Sequence, residues 1–267
     1  MELKYIGYEL MCDESAVIEV SVGLPCYNAK DIAWLAFEGL CRQTGVTFKW
    51  ELLICEEPHS LAIGREFAMQ YADRLKEVGC ARIVYIEMNQ KVVLPTKWIT
   101  IGQYISTQSM IFVMQATDCY APAERLAVTY RRMCYRDADW LDFTHGYFYS
   151  FLHKKLILYA HNGKTNLHMA FATRNFQHLN YHDRNKGIDN WLMKSMRAGN
   201  KQFKLIRETG LYPSVDTDGF NSISRGRLQF YLKPVLPFKK TKFTIDEIGL
   251  PPDIVQRIKE QCSALHR

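Results

Sequence analysis

Short apolar runs punctuate the first half of the chain, and a helix signal follows each of them. The runs are Ile18 to Leu24, closed by Pro25, then Trp50 to Cys55, Ala81 to Met88, and Met110 to Gln115. After the first, Asn28 and Asp31 offer N-cap chemistry to a stripe of Ile32, Leu35, Ala36 and Leu40. After the second, a helix is predicted from about Ser60, with its stripe on Gly64, Phe67, Ala68, Tyr71, Leu75 and Val78 and Gly79 as terminator. Pro95 to Ser106 reads as the third helix, and Pro122 sits where an N1 proline would open a fourth. The last three runs are nearly continuous rather than alternating, as in parallel strands covered on both faces. The fold class is therefore α/β, a mostly parallel sheet with helices on both faces. Ligands of such sheets bind beyond the carboxyl ends of the strands. That singles out Pro25 to Asn28, Glu56 with Glu57, and Gln115 to Cys119.

Beyond Trp140 the pattern changes. Trp140 to Phe151 and Lys155 to Tyr159 are aromatic-rich strand candidates, and Asn162-Gly163 is a type I′ hairpin signal. Ile188, Trp191, Leu192, Ser195 and Met196 form a helical stripe that Gly199 ends, and a last amphipathic helix starts at Asp253. With 267 residues the chain is read as one integrated unit, an α/β half over 1–135 and a mixed half over 136–267 that shares its cleft.

No apolar run approaches the ~18 residues of a membrane-crossing helix. The eight cysteines, at 12, 26, 41, 55, 80, 119, 134 and 262, form no C-x-x-C pair and lie mostly in apolar runs. They read as small hydrophobes of a reduced, cytoplasmic protein. The net charge of +6 is matched by a single acid-free stretch between Gly219 and Ile245, carrying Arg225, Arg227, Lys233, Lys239, Lys240 and Lys242.

Several familiar motifs are absent or incomplete. Gly163-Lys164-Thr165 lacks the earlier glycine of a phosphate loop, because Leu158 stands there. His178 and His182 are spaced i, i+4 without a zinc protease's glutamate, and neither G-x-S-x-G nor G-x-G-x-x-G occurs. The strand-end acids say more. Glu56, Glu57 and Asp118 fall at one rim of one sheet, and Asp189 opens the later helix. Carboxylates gathered so could serve a base or ribose, a divalent cation, and proton abstraction.

Val20-Ser21-Val22-Gly23-Leu24-Pro25-Cys26-Tyr27-Asn28 resembles the opening strand and P-x-Y-N turn of the family 2 glycosyltransferases. Glu51 to Glu57 is similar to that family's second strand, with Glu56-Glu57-Pro58 in place of its Asp-Asp-Gly-Ser. Met110 to Pro122 occupies the place of the metal-binding D-x-D strand, with Gln115 and Thr117 where its two acids would stand. Met169 to Arg174 resembles the acceptor-side strand, and Gly187 to Leu192 resembles the segment with the catalytic base. No Q-x-x-R-W comes after it, which argues against a processive polysaccharide synthase.

The resemblance implies a GT-A-like fold and an inverting transfer from a nucleotide sugar, most simply UDP-linked. Pro25, Tyr27, Asn28 and Glu56 or Glu57 would hold the nucleoside, with Lys97 or Arg184 adding positive charge at the diphosphate. Asp118 would touch Mn²⁺ or Mg²⁺, and Asp189 would deprotonate the acceptor. The acceptor would be a glycan or, given the aromatics Phe220, Phe230, Tyr231, Phe238 and Phe243 among the six cations, a hydroxymethylated DNA base. The alternative is a catalytically silent module on the same fold that binds nucleotide or nucleic acid.

Overall fold

The computed structural model describes residues 2–143, 145–150, 155–160, 169–179, 188–208, 215–217, 244–247 and 249–264. Among them the strands β1 (Tyr5–Cys12), β2 (Ile18–Cys26), β3 (Lys49–Glu56), β4 (Cys80–Met88), β5 (Ile111–Met114), β7 (Trp140–Phe143), β10 (Ala170–Ala172) and β11 (Leu205–Glu208) form one eight-stranded sheet. Its order is β1-β4-β3-β2-β5-β10-β7-β11. β4, β3, β2 and β5 run parallel, whereas β1 and β10 are antiparallel to their neighbours. The chain thus builds outward from β2 to β3 and β4, then returns to lay β5 on the other side of β2. That reversal is the switch point at which doubly wound sheets open a cleft.

A second sheet has the order β6-β12-β8-β9, from β6 (Cys119–Tyr120), β12 (Val215–Thr217), β8 (His145–Ser150) and β9 (Lys155–Ala160). β8 and β9 pair antiparallel, from His145 opposite Ala160 to Ser150 opposite Lys155. The expected hairpin turn Asn162-Gly163, Arg184 and most of the acid-free basic stretch lie outside the described residues.

Among the described residues the α-helices are α1 (Trp34–Cys41), α2 (Gly64–Met69), α3 (Ala72–Glu77), α4 (Leu94–Gly102), α5 (Arg125–Arg136), α6 (Ile188–Gly199) and α7 (Pro252–Ala264). Two buried clusters lie on the two faces of the main sheet. One gathers α1, α2, α3 and α7 over residues such as Val22, Leu52 and Ile54; the other gathers α4 and α6 over Leu53, Phe112 and Met114. Successive residues of β3 (Leu52, Leu53, Ile54) alternate between the clusters, so both faces are covered and the middle of the strand is apolar on both. Strands from both sides of residue 135 share this sheet, and α7 packs back on α1.

Several expectations are corrected in detail. β1 went unpredicted, because its polar and apolar residues do not read as a buried run. It is an edge strand with a register shift between Glu9 and Met11. Helix α1 begins at Trp34 with no side-chain cap, so neither Asn28 nor Asp31 serves as one. The helix expected from Ser60 is two short helices. Gly64 takes φ +77°, which holds off the first until that residue, and Tyr71 interrupts the pair by turning its ring against Phe37 and Phe67. Gly79, at φ +95°, ends the pair as expected. Pro122 lies three residues before α5, its carbonyl accepting from the Arg125 amide.

None of the eight cysteines is joined in a disulfide, and six are buried. Every residue of α1 is buried, because β6 lies against it on one side and α7 covers it on another. The contact with Ala121, the residue that follows β6, is close. A Cβ on Gly39 would stand 2.5 Å from the Ala121 nitrogen and 2.8 Å from its carbonyl oxygen, both backbone atoms with nowhere to go. Gly39→Ala is therefore expected to destabilise the protein by about 1–3 kcal/mol through overpacking, read as a lower midpoint in thermal or denaturant unfolding. An unchanged midpoint would mean that α1 and Ala121 do not meet in this way.

Candidate nucleotide site

The cleft begins where β2 and β5 part. Their ladder runs from Val20 opposite Ile111 to Gly23 opposite Met114, and the Gln115 amide still donates to the Gly23 carbonyl at 3.0 Å. Along a strand the N–H and C=O of one residue share a side, and sides alternate. Pro25, two residues on, therefore faces β5 with no amide hydrogen to offer, and the ladder stops there. On the other side β2 stays paired with β3 as far as Cys26 opposite Glu56. The chain then turns through Tyr27 and Asn28, and Asn28 adopts φ +51°. Asparagine is one of the few side-chain-bearing residues that tolerates this region.

Tyr27 is 37% exposed at this rim. Its ring packs edge-on against His59 with centroids 5.1 Å apart. The Lys91 ammonium donates to its phenol oxygen at 2.9 Å, and Lys97 lies 5.4 Å from the ring centre. The bond to Tyr27 raises the pKa of Lys91, which stays cationic. Lys97 is buried. Its Nζ donates to the Cys26 carbonyl at 2.6 Å and stands 3.4 Å from Glu57 Oε1. Lys97 thus ties the first turn of the cleft to the end of β3. Asn28 Oδ1 is buried without a hydrogen-bond partner.

Glu56 and Glu57 are both buried and both engaged within the protein. Glu56 accepts from the amides of Ile63 at 2.9 Å and Gly64 at 3.1 Å, and from the Tyr85 hydroxyl. Burial, then the neighbouring Glu56, push the Tyr85 pKa well up, so the phenol keeps its proton and remains a donor. Glu57 accepts from the Val92 amide at 2.6 Å and faces Lys97. These carboxylates shape the loops after β3 and β4. The flanking thiols of Cys26 and Cys55 are pushed up by burial, the latter to about 12, and so stay protonated and unreactive.

At the end of β5, Gln115 is buried and its carboxamide is fully engaged. Oε1 accepts from Arg125 at 2.6 Å, while Nε2 donates to the carbonyls of Ala116 at 2.9 Å and Cys119 at 2.7 Å. Arg125 also donates to the Met114 carbonyl. Asp118 is half-buried in the turn before β6, with the Cys119 thiol 3.5 Å from its Oδ1. Among the described residues no three His, Cys, Asp or Glu side chains gather as a metal site. The described donor set, one carboxylate beside an engaged carboxamide, therefore does not fit a cation chelated by the protein.

The structure brings Pro25, Tyr27, Asn28, Glu57 and Lys97 together, with Glu56 beneath them. Asp189 is the second residue of α6. Sequence reasoning missed His59 and Lys91. Both lie in loops after strands, but nothing in their local sequence marks them as partners of Tyr27.

No protein-family model and no curated protein matches this sequence. Solved structures nevertheless share its fold. S. aureus TarS 1–349 in complex with UDP-GlcNAc superposes with a TM-score of 0.59 at 11% identity, over 77% of this chain and 60% of that one. A crystal structure of S. aureus TarS gives 0.57 at 10% identity, over 75% and 37%. The mannosyltransferase PcManGT from Pyrobaculum calidifontis, in complex with GDP-Man and Mn²⁺, gives 0.56 at 13% identity, over 96% and 77%. The chain thus spans between 37% and 60% of the TarS structures it matches. The architecture is the GT-A-like glycosyltransferase fold.

Lys97→Met should leave Glu57 buried without its cation, a loss of about 3–5 kcal/mol where one partner of a buried pair is removed. Adding Glu57→Gln should recover part of the loss, as a double-mutant cycle in urea would show. Additive losses would mean that the two side chains are not coupled.

Proposed function

We propose that this protein transfers a glycosyl group from a nucleotide sugar, most simply UDP-linked, to an acceptor hydroxyl with inversion, as a member of the family 2 glycosyltransferases. One observation carries the reading: an exposed tyrosine, an asparagine in left-handed conformation and a buried lysine meet where β2 and β5 part. The fold is shared with structures that hold UDP-GlcNAc and GDP-Man. In this reading Tyr27 offers its ring to the base, with Pro25 and Asn28 beside it. Lys97 and Arg184 add positive charge toward the diphosphate, and Glu56 and Glu57 act by holding the loops around them.

Asp189 is assigned as the base. Helix α6 ends beside His178 and leads to the start of β11, which supports placing its first turn toward the carboxyl rim. The Mn²⁺ or Mg²⁺ that the resemblance implies would be carried mainly by the donor's phosphate oxygens. Asp118 would be its one described protein carboxylate. The acceptor is a glycan or a hydroxymethylated DNA base, the latter suggested by the cations and aromatics between Gly219 and Ile245. Cysteines used as buried thiols suit the cytoplasm, and no described helix is long and apolar enough to cross a membrane.

A second reading is a silent nucleotide- or nucleic-acid-binding module. It is favoured by Gln115, whose carboxamide is bound up with Arg125 where an acid would be needed. Hydrolysis of the donor without acceptor separates the two, since only an enzyme turns it over.

UDP or a UDP-sugar is expected to raise the melting temperature, by the equivalent of ~2.7 kcal/mol at 100 times its Kd. A nucleotide panel that shifts nothing, with or without Mn²⁺, would sink the proposal. Asp189→Asn should slow transfer by about 10²–10⁴-fold while the UDP-induced shift persists. Earlier melting with wild-type transfer would instead make Asp189 a helix-start acid, worth ~0.3–1 kcal/mol. Asp118→Asn should lower whatever stimulation Mn²⁺ gives to donor binding; unaltered stimulation would place the cation elsewhere.

A further inference from the structure

A left-handed asparagine persists only where its surroundings hold it. The turn that carries Tyr27 and Asn28 continues through a tight segment, in which Ile32 and Ala33 both donate to the Ala29 carbonyl at 3.0 and 2.8 Å. Three ties fix this stretch from outside. Lys97 donates to the Cys26 carbonyl at 2.6 Å, and the Lys30 amide donates to the Leu61 carbonyl at 3.1 Å. The third tie comes from α7, 230 residues further along. Gln261 of α7 donates through Nε2 to the Asp31 carbonyl and accepts through Oε1 from Trp34 Nε1 at 3.2 Å. One planar carboxamide therefore bridges the turn and the first residue of α1.

We propose that Gln261 is a positioning residue for the donor, keeping the Tyr27–Asn28 turn in its nucleotide-binding shape from a helix more than two hundred residues away in sequence. The inference rests on the donor-site reading above. Helix α7 does not need Gln261 to stay docked. Ile254, Val255, Ile258 and Cys262 are buried, Asp253 pairs with Arg42 at 2.5 Å, and Arg257 lies 4.0 Å over the Trp34 ring. Arg257 meets the same tryptophan through its ring. It offers a control for packing of the helix, separate from the tie to the Asp31 carbonyl.

The experiment is titration of the full chain with UDP, in wild type, Gln261→Ala and Arg257→Met, with melting temperatures alongside. Gln261→Ala should weaken UDP by about 3–10-fold, the size of effect a residue remote from the ligand can exert. Its melting temperature should fall by no more than about 2 °C. Amide exchange over residues 27–34 should quicken in this variant. Arg257→Met should lower the melting temperature while leaving UDP affinity within about twofold. Wild-type affinity in Gln261→Ala overturns the inference and leaves the donor site standing. So does a loss of affinity that tracks melting temperature equally in both variants. Failure of the wild type to bind UDP overturns the donor site and the inference with it.

Discussion

Pro25 has no amide hydrogen to give, and the ladder between β2 and β5 stops two residues before it. Because β2 remains paired to β3 through Cys26, only one side of the strand opens. That asymmetry produces a rim on which Tyr27 is exposed while Cys26, one residue earlier, is wholly buried. Lys97 bridges the opened strand end to Glu57, and Glu56 gathers the loop after β3 around its carboxylate. The exposed groups of the rim are thus held by buried, charge-assisted bonds. Bonds of that kind are short and directional, which is what a preformed site requires.

Most of the parallel sheet could be read from sequence, because a strand covered on both faces carries a continuous apolar run, as Leu52-Leu53-Ile54 does. Edge strand β1 was not legible for the converse reason. It is paired on one side only and its cover is partial, so residues such as Ile6 are left in solvent. The break between α2 and α3 was hidden as well. Phe67, Tyr71 and Leu75 keep helical spacing through it, so the apolar period does not report the change of direction.

The rim divides in the same way. Pro25, Tyr27 and Asn28 are near neighbours in sequence, so their association is local and readable. Lys97 was found through its position and a family likeness, but its bond to the Cys26 carbonyl spans 71 residues and has no local trace. The fate of Glu56 and Glu57 was equally hidden. Two acids at a strand end look alike whether they face solvent or turn inward to backbone amides, and here they turn inward. Gln115 shows the limit from the other side: its identity marks the absence of an acid, while its engagement with Arg125 depends on a helix that begins ten residues later.

The contacts of α7 with the start of α1 also bear on how the protein is made. Asp31 and Gln261 are separated by 230 residues, so the loop they close is long. Closing so large a loop costs little more entropy than closing one half its length, but it must wait for the later residue to exist. On a ribosome adding about 5–20 residues each second, the parallel strands leave the exit tunnel well before α7 is synthesised. Until then one flank of α1 stays bare, with Trp34 lacking its cover. The nascent sheet therefore keeps an apolar flank uncovered until α7 is made and packs against it.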